Sequence, residues 1–422
     1  MRKIFMAVVV MVVIAAVTPY WFGREIENHY DAYIDEIRHR QALRVVTAEF
    51  QRGWLESRSH TVLELPQLRL LLDFQQRFGH GPFPQIGAIG SYTGFTPRMV
   101  DAISDLRIGG SDESVPIVIS ARVALDGTTQ GQIDLPSATM ALDPQRQLDT
   151  VASTGWFEFS PQGPVHLRLP LPKSALATPG GSLELEKLAL EIESTPTPQG
   201  IPLAATAIDI GRLQWRDTVT AARTTITEFE LRSRLTDNKG LLEYRLQAAA
   251  EGIVANHDPE FYGPAIFDLD IKGLDSAAIA SARDSLPAMP QSAMSLIPIL
   301  IAIFDAGQPE LHAALDVQTS EGAIEGRLNL LRQPGVTVSN VLGLLQAVQL
   351  NAHLLFPDSA VALFFMARSI GGATEREDAR AQFQEWIDRG YLRRRTDKRY
   401  EIKVRYMNHE LLVNEMRLEP TQ

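Results

Sequence analysis

Runs in which every second residue is apolar recur from about Arg44 onward, and they leave few choices of fold. Val165, Leu167, Leu169 and Leu171 share one parity, with His166 and Arg168 on the other. Ile117, Ile119, Ala121, Val123 and Leu125 repeat the pattern. So do Thr227, Phe229, Leu231 and Leu235, set against Glu228, Glu230, Arg232 and Arg234. Leu242, Tyr244 and Leu246 alternate with Glu243, Arg245 and Gln247. Successive side chains of a strand point to opposite faces, so each run predicts a strand with one dry and one wet face. Antiparallel sheets permit this, whereas a parallel sheet covered on both sides needs both parities apolar. Between Ser182 and Glu193 the apolar parity changes, from Leu183 and Leu185 to Leu188, Leu190 and Ile192. That predicts a β-bulge near Glu186 or Lys187.

Helical periodicity is confined to the N-terminus and the last third. Residues 274–286 are rich in Ala and Ser and suit a helix. Residues 293–304 form an apolar run broken by Pro298; at twelve residues it is too short to span a bilayer, so a buried or partly exposed helix is expected. Over 375–389, Thr374 and Glu377 make a capping box, Ala379, Phe383, Trp386 and Ile387 an apolar stripe, and Gly390 a stop. Two strands follow, with Tyr400, Ile402, Val404 and Tyr406 on one face, then a turn at Asn408-His409 leading into Leu411 to Leu418. The expected fold class is α+β: mainly antiparallel β-sheet, a transmembrane helix at the N-terminus, and helices in the last third. The expected divisions are an anchor over 1–23, a juxtamembrane helix over 24–43, a β-rich region over 44–270 and a mixed region over 271–422. Gly- and Pro-rich seams lie at 79–94, 161–164, 178–181 and 195–202.

Ile4 to Phe22 is a 19-residue stretch without charge. As a helix it extends about 28 Å, close to the hydrocarbon thickness of a bilayer. Tyr20, Trp21 and Phe22 close it as an interfacial aromatic belt would, and Arg2 and Lys3 precede it. Positive charge stays cytoplasmic, which predicts a single-pass membrane protein with a cytoplasmic N-terminus and an exported body. The competing readings are a cleaved secretory signal, for which Pro19 is badly placed and the run long, and a buried core helix, which the aromatic belt and basic start disfavour. Further on, Ile26, Tyr30, Tyr33, Ile34 and Ile37 keep helical spacing among charged neighbours. This predicts a stalk that docks one face onto the body.

The net charge is −11 and no five like charges run together, which argues against a nucleic-acid partner. Arg393, Arg394 and Arg395 read as a solvated edge. Without cysteine there is no disulfide, zinc-thiolate site or thiol nucleophile. No P-loop, G-x-S-x-G, S-x-x-K or H-E-x-x-H motif occurs. His257, Asp258 and Glu260 read as a polar turn rather than a metal site, and His60 as a satisfied strand residue. His80-Gly81-Pro82-Phe83-Pro84 reads as a rigid turn whose His caps a backbone group, in preference to a binding loop. No catalytic residue, metal or cofactor is expected.

Phe50-Gln51-Arg52-Gly53-Trp54, then a strand, then Gly79-His80-Gly81-Pro82-Phe83-Pro84 resemble the YdgA family of bacterial proteins, a domain of unknown function. Gly240 to Tyr244 is similar too, as is Pro309 to Leu330 with Thr319-Ser320-Glu321-Gly322 at its turn. So is Gly390-Tyr391-Leu392 with Tyr400 and Asn408 to Asn414. The resemblance covers nearly the whole chain. The sequence departs from it at Leu55, where Phe is usual, and at Asn408-His409, where Asn-Gly is usual. What it implies is an anchored inner-membrane or periplasmic protein with no assigned activity. Arg52, Gly53, Trp54, His80, Gly81, Pro82, Phe83 and Pro84 are accordingly expected to be structural. Two function classes stay open. One is a non-catalytic envelope protein that binds partners or scaffolds a complex. The other is lipid handling, by analogy at fold level with the single-anchor, β-rich AsmA proteins. Lipid handling requires an apolar groove open to solvent; a scaffold requires a filled core. A hydrolase ranks third and needs polar side chains converging near His257 or His80.

Overall fold

The alternation is realised as antiparallel ladders, in a computed structural model of the chain. The residues described are 2–39, 43–66, 70–81, 98–109, 116–143, 145–161, 163–197, 201–218, 222–255, 258–285, 297–358, 360 and 383–417. The side chains of 2–17, 98, 143, 255, 258–261, 282–285 and 299 are not among them. Two compact units divide the chain: residues 1–196 with 215–221, and residues 197–214 with 222–422. The first break falls in the Pro-rich seam at 195–202.

The first unit begins with helix α1 (Arg2–His39) and continues through β1 (Arg44–Gln51), β2 (Glu56–Leu65), β3 (Leu70–His80), β4 (Arg98–Ile108), β5 (Ile117–Ala124) and β6 (Thr129–Leu135). Then come β7 (Ala138–Asp143), β8 (Arg146–Thr150), β9 (Ser153–Phe159), β10 (Val165–Thr178) and β11 (Gly181–Pro196). Pairing runs β1-β2-β3-β4-β5-β6-β9-β10-β11, all antiparallel, and the β7–β8 hairpin adds β8 to β10. Helix α1 packs on β1 and β3. Pro19, Gly23, Ile34 and Ile37 of α1 are buried, with Ile26 and Tyr30 half-buried between them. Their spacings of three and four residues trace one helix face, as the stalk reading expects. Tyr33 lies off that face and is exposed, a correction to the predicted stripe.

Strand β12 (Pro202–Asp217) belongs to the second unit up to Gln214. The second unit continues with β13 (Arg223–Asn238), β14 (Leu241–Ala255), β15 (Asp258–Tyr262), β16 (Ala265–Asp275), α2 (Ser276–Ser285), α3 (Ile297–Ala306), β17 (Glu310–Thr319) and β18 (Gly322–Arg332). It ends with α4 (Val341–Ala347), β19 (Val348–Pro357), a helical stretch at 383–388, β20 (Arg393–Arg394), β21 (Arg399–Met407), β22 (Glu410–Val413) and β23 (Met416–Arg417). Its ladder runs β13-β14-β16-β17-β18-β19-β21-β22-β23. Turn chemistry fixes the register. Lys239-Gly240, Asn408-His409 and Asn414-Glu415 each place two successive residues at positive φ, the conformation that matches strand twist in tight hairpins.

Among the described side chains, which begin at Thr18, no helix is long and apolar enough to cross a membrane. Several expectations are refined. Pro298 does not interrupt its helix, since it lies within α3, Ile297–Ala306. Trp386 is exposed, while Phe383 and Ile387 pack on the cluster of Ile324, Phe356, Leu392 and Tyr400. Thr374, Glu377 and Ala379 lie outside the described residues. The predicted bulge is absent: β10 and β11 keep one register on both sides of Lys187. Lys187 instead has φ 56° and lies level with Pro172, which has no N–H for a ladder bond. Both strands change apolar parity together there, with Leu176 facing Leu183 and Leu171 facing Leu188, so no extra residue is needed.

Candidate functional site

Register places whole rows of side chains on common faces. In the second unit, Phe267, Leu315, Gly326, Leu354 and Ile402 are successive cross-strand partners, and so are Leu269, Ala313, Leu328, Ala352 and Val404. The face extends over β14 and β13 through Leu246, Ala248 and Leu231. One residue along each strand, the opposite face carries Asp268, Asp316, Glu325, Arg327, His353, Glu401 and Lys403. The sheet is thus greasy on one side and charged on the other.

Covering is uneven. At one end of the apolar face, α3 and α4 close a cluster of Phe304, Val338 and Ala347 with Leu330 and Val348. At the other, the helical stretch at 383–388 presses Phe383 and Ile387 onto Phe356 and Tyr400. Between them, among the described residues, lies an open concavity of about 390 Å³. Ala313, Ala314, Gly326 and Ala352 are its small residues and Phe267, Leu315, Leu328, Leu354, Ile402 and Val404 its large apolar ones, while Arg327 and His353 of the charged face border it. A wall this largely apolar selects for shape and hydrophobicity.

The opposite face holds charge networks. Glu401 sits 3.0 Å from His353 Nε2 and 3.2 Å from Lys403 Nζ. Burial alone would raise its pKa; the bonds from Lys403 and His353 outweigh that and hold the carboxyl below its usual range. His312 Nδ1 bonds Asn329 Oδ1 at 2.7 Å. Arg393, Arg394 and Arg395 are exposed; Arg393 donates to the Asn414 carbonyl and Arg395 to Glu401. Among the described residues no group of three or more His, Cys, Asp or Glu could hold a metal ion. His257 lies outside the described residues, as do the side chains of Asp258 and Glu260. His60 bonds Asp73 at 3.0 Å across β2 and β3.

The motif residues meet at a second place, in the first unit. Arg52, Gly53, Trp54 and Leu55 form the β1–β2 turn; His80 ends β3 and Gly81 follows it. Arg52, Trp54, His80 and Gly81 meet residues 19–27 of α1. Arg52 Nη1 bonds Glu27 Oε2 at 2.6 Å, and its guanidinium lies 5.1 Å over the Tyr20 ring. Trp54 packs against Tyr20 with centroids 5.9 Å apart. Gly53 is required by closeness, since a Cβ there would sit 2.1 Å from the Glu56 carbonyl oxygen. His80 is fully buried; its Nε2 lies 2.9 Å from Ser57 Oγ, and the Pro19 backbone also bears on the ring. Its Nδ1 is buried without a hydrogen-bond partner of normal geometry. Burial holds the His80 pKa below 6.5, against smaller raising influences from the Pro19 backbone and Glu56. Gly23 lets the ring lie on the helix, because a Cβ there would meet His80 Cε1 at 2.9 Å. Sequence reading missed Gly23 and Ser57; a glycine inside a helical pattern was the available signal for the former. Pro82, Phe83 and Pro84 lie outside the described residues. Tyr20 and Trp21 are exposed and Phe22 half-buried.

A family model described as bacterial protein of unknown function (DUF945) matches residues 1–420, so the resemblance drawn from the motifs is met at the level of a bacterial family without assigned activity. No curated protein and no solved structure matches the chain.

Proposed function

We propose, from the premise that this chain belongs to the DUF945 family of bacterial proteins of unknown function, that it is a membrane-anchored envelope protein that cradles lipid acyl chains. The reading is non-catalytic. The observation that carries it is the open apolar concavity between the two covered ends of the second unit's sheet. Its volume falls within the ~300–1,000 Å³ usual for small-molecule sites. Its walls are almost wholly apolar: Arg327 and His353 border it, but Arg327 is engaged by the Leu315 and Gly326 carbonyls and His353 by Glu401, which disfavours sugars, nucleotides and peptides and suits a hydrocarbon chain. Each methylene moved from water into such a wall contributes about 0.8 kcal/mol. Ten of them offer on the order of 8 kcal/mol before ordering costs, enough to retain a lipid through purification.

The anchor rests on the uncharged stretch Ile4 to Phe22, which lies within a single helix, Arg2–His39. Arg2 and Lys3 ahead of it support a cytoplasmic N-terminus and a body on the far side of the inner membrane. The test is mass spectrometry of lipids that stay with the detergent-purified full chain. Stoichiometric phospholipid or fatty acid is expected, lost on delipidation and regained on incubation with vesicles. A chain that emerges free of lipid and takes none up contradicts the proposal.

A further inference from the structure

We infer that the β1–β2 turn is a second membrane contact, inserting Trp54 and Leu55 into the lipid headgroup region beside α1; this rests on the anchor proposed above. The exposed surface at this point is built from large side chains: Trp54 is 55% exposed, Leu55 62%, Trp21 58% and Tyr20 44%. Such a cluster is costly in water, and aromatic rings with one polar edge favour the bilayer interface.

Depth follows from geometry. If Ile4 to Phe22 fills the hydrocarbon layer, Tyr20 lies within about 3 Å of its outer boundary at 1.5 Å per residue. The Trp54 ring contacts Tyr20 at 5.9 Å between centroids, so it shares that level to within one ring width. The turn has no freedom to swing away. His80 N–H donates to the Leu55 carbonyl at 3.0 Å, and His80 in turn lies on Gly23. Arg52 is held at the same level by Glu27 and the Tyr20 ring, where a cation also meets lipid phosphates. The bilayer is chosen over a protein partner because Trp54 packs on Tyr20, which belongs to the uncharged stretch Ile4 to Phe22.

The native chain lacks cysteine, so single labels are unambiguous. Full-length W21C, L55C and Y33C, each at an exposed position, would carry an environment-sensitive fluorophore in vesicles of phosphatidylethanolamine and phosphatidylglycerol. Tyr33 lies 11 residues beyond Phe22, about 16 Å along the helix, and serves as the aqueous reference. The expected result is blue-shifted emission and loss of iodide quenching at positions 21 and 55, with neither at 33. Labels at 21 shielded but at 55 as quenchable as at 33 would overturn the second contact and leave the anchor standing. Labels at 21 and 55 both freely quenched would overturn the two together.

Discussion

His80 shows how a single buried group ties stability to pH. Its folded pKa lies below 6.5, so the unfolded chain takes up the proton first as pH falls. The stabilisation is complete above about pH 6.5 and is lost progressively as pH drops toward the folded pKa. Denaturant midpoints measured from about pH 8 to pH 5 should fall in the native chain and fall less in His80→Gln, which keeps a hydrogen-bonding group but does not titrate there. Equal slopes would refute the assignment. At Gly53, an added methyl group meets a carbonyl oxygen of the backbone, which cannot yield as a flexible side chain could. Gly53→Ala should therefore cost about 1–3 kcal/mol, read from the same titration. The motif residues could be singled out in the sequence, but their meeting could not. Arg52 finds Glu27, and His80 finds Ser57 and Gly23, across separations that no local period encodes.

The hairpins and strands were the most legible elements, because parity and turn residues are local signals. The rows Phe229-Leu231 and Ile402-Val404 lie in the strands expected, and Asn408-His409 makes its turn. His409 holds φ 65° at some steric cost, since a β-carbon is unfavourable in the left-handed region. His409→Gly should raise stability by about 1 kcal/mol, visible as a higher thermal midpoint, because the relieved strain exceeds the freedom that the unfolded chain gains. No change or a loss would contradict the strain assigned to His409. The bulge expected near Lys187 failed for an equally local reason. One strand was read alone, whereas β10 changes parity in step with β11. Tyr33 and Trp386 depart from the expected stripes because helical spacing gives a stripe's direction but not its width.

At the scale of the molecule, one-sided amphipathicity is what the alternation encodes, and the uneven cover over the apolar side is what it hides. Whether a dry face is filled or open depends on where α3, α4 and the stretch at 383–388 come to rest, a tertiary matter. On the proposed reading the stretch left open between them, among the described residues, serves as a ligand surface; Ala352 marks its floor while Asn351, next along β19, points to the charged side. The most direct measurement is uptake of a fluorescent fatty acid by three full-length chains: native, Ala352→Trp and Asn351→Trp. Saturable uptake by the native chain and by Asn351→Trp, with at least about tenfold weaker uptake by Ala352→Trp, equivalent to ~1.4 kcal/mol, is the predicted result. Equal uptake by all three, or none by the native chain, would contradict the acyl-chain cradle.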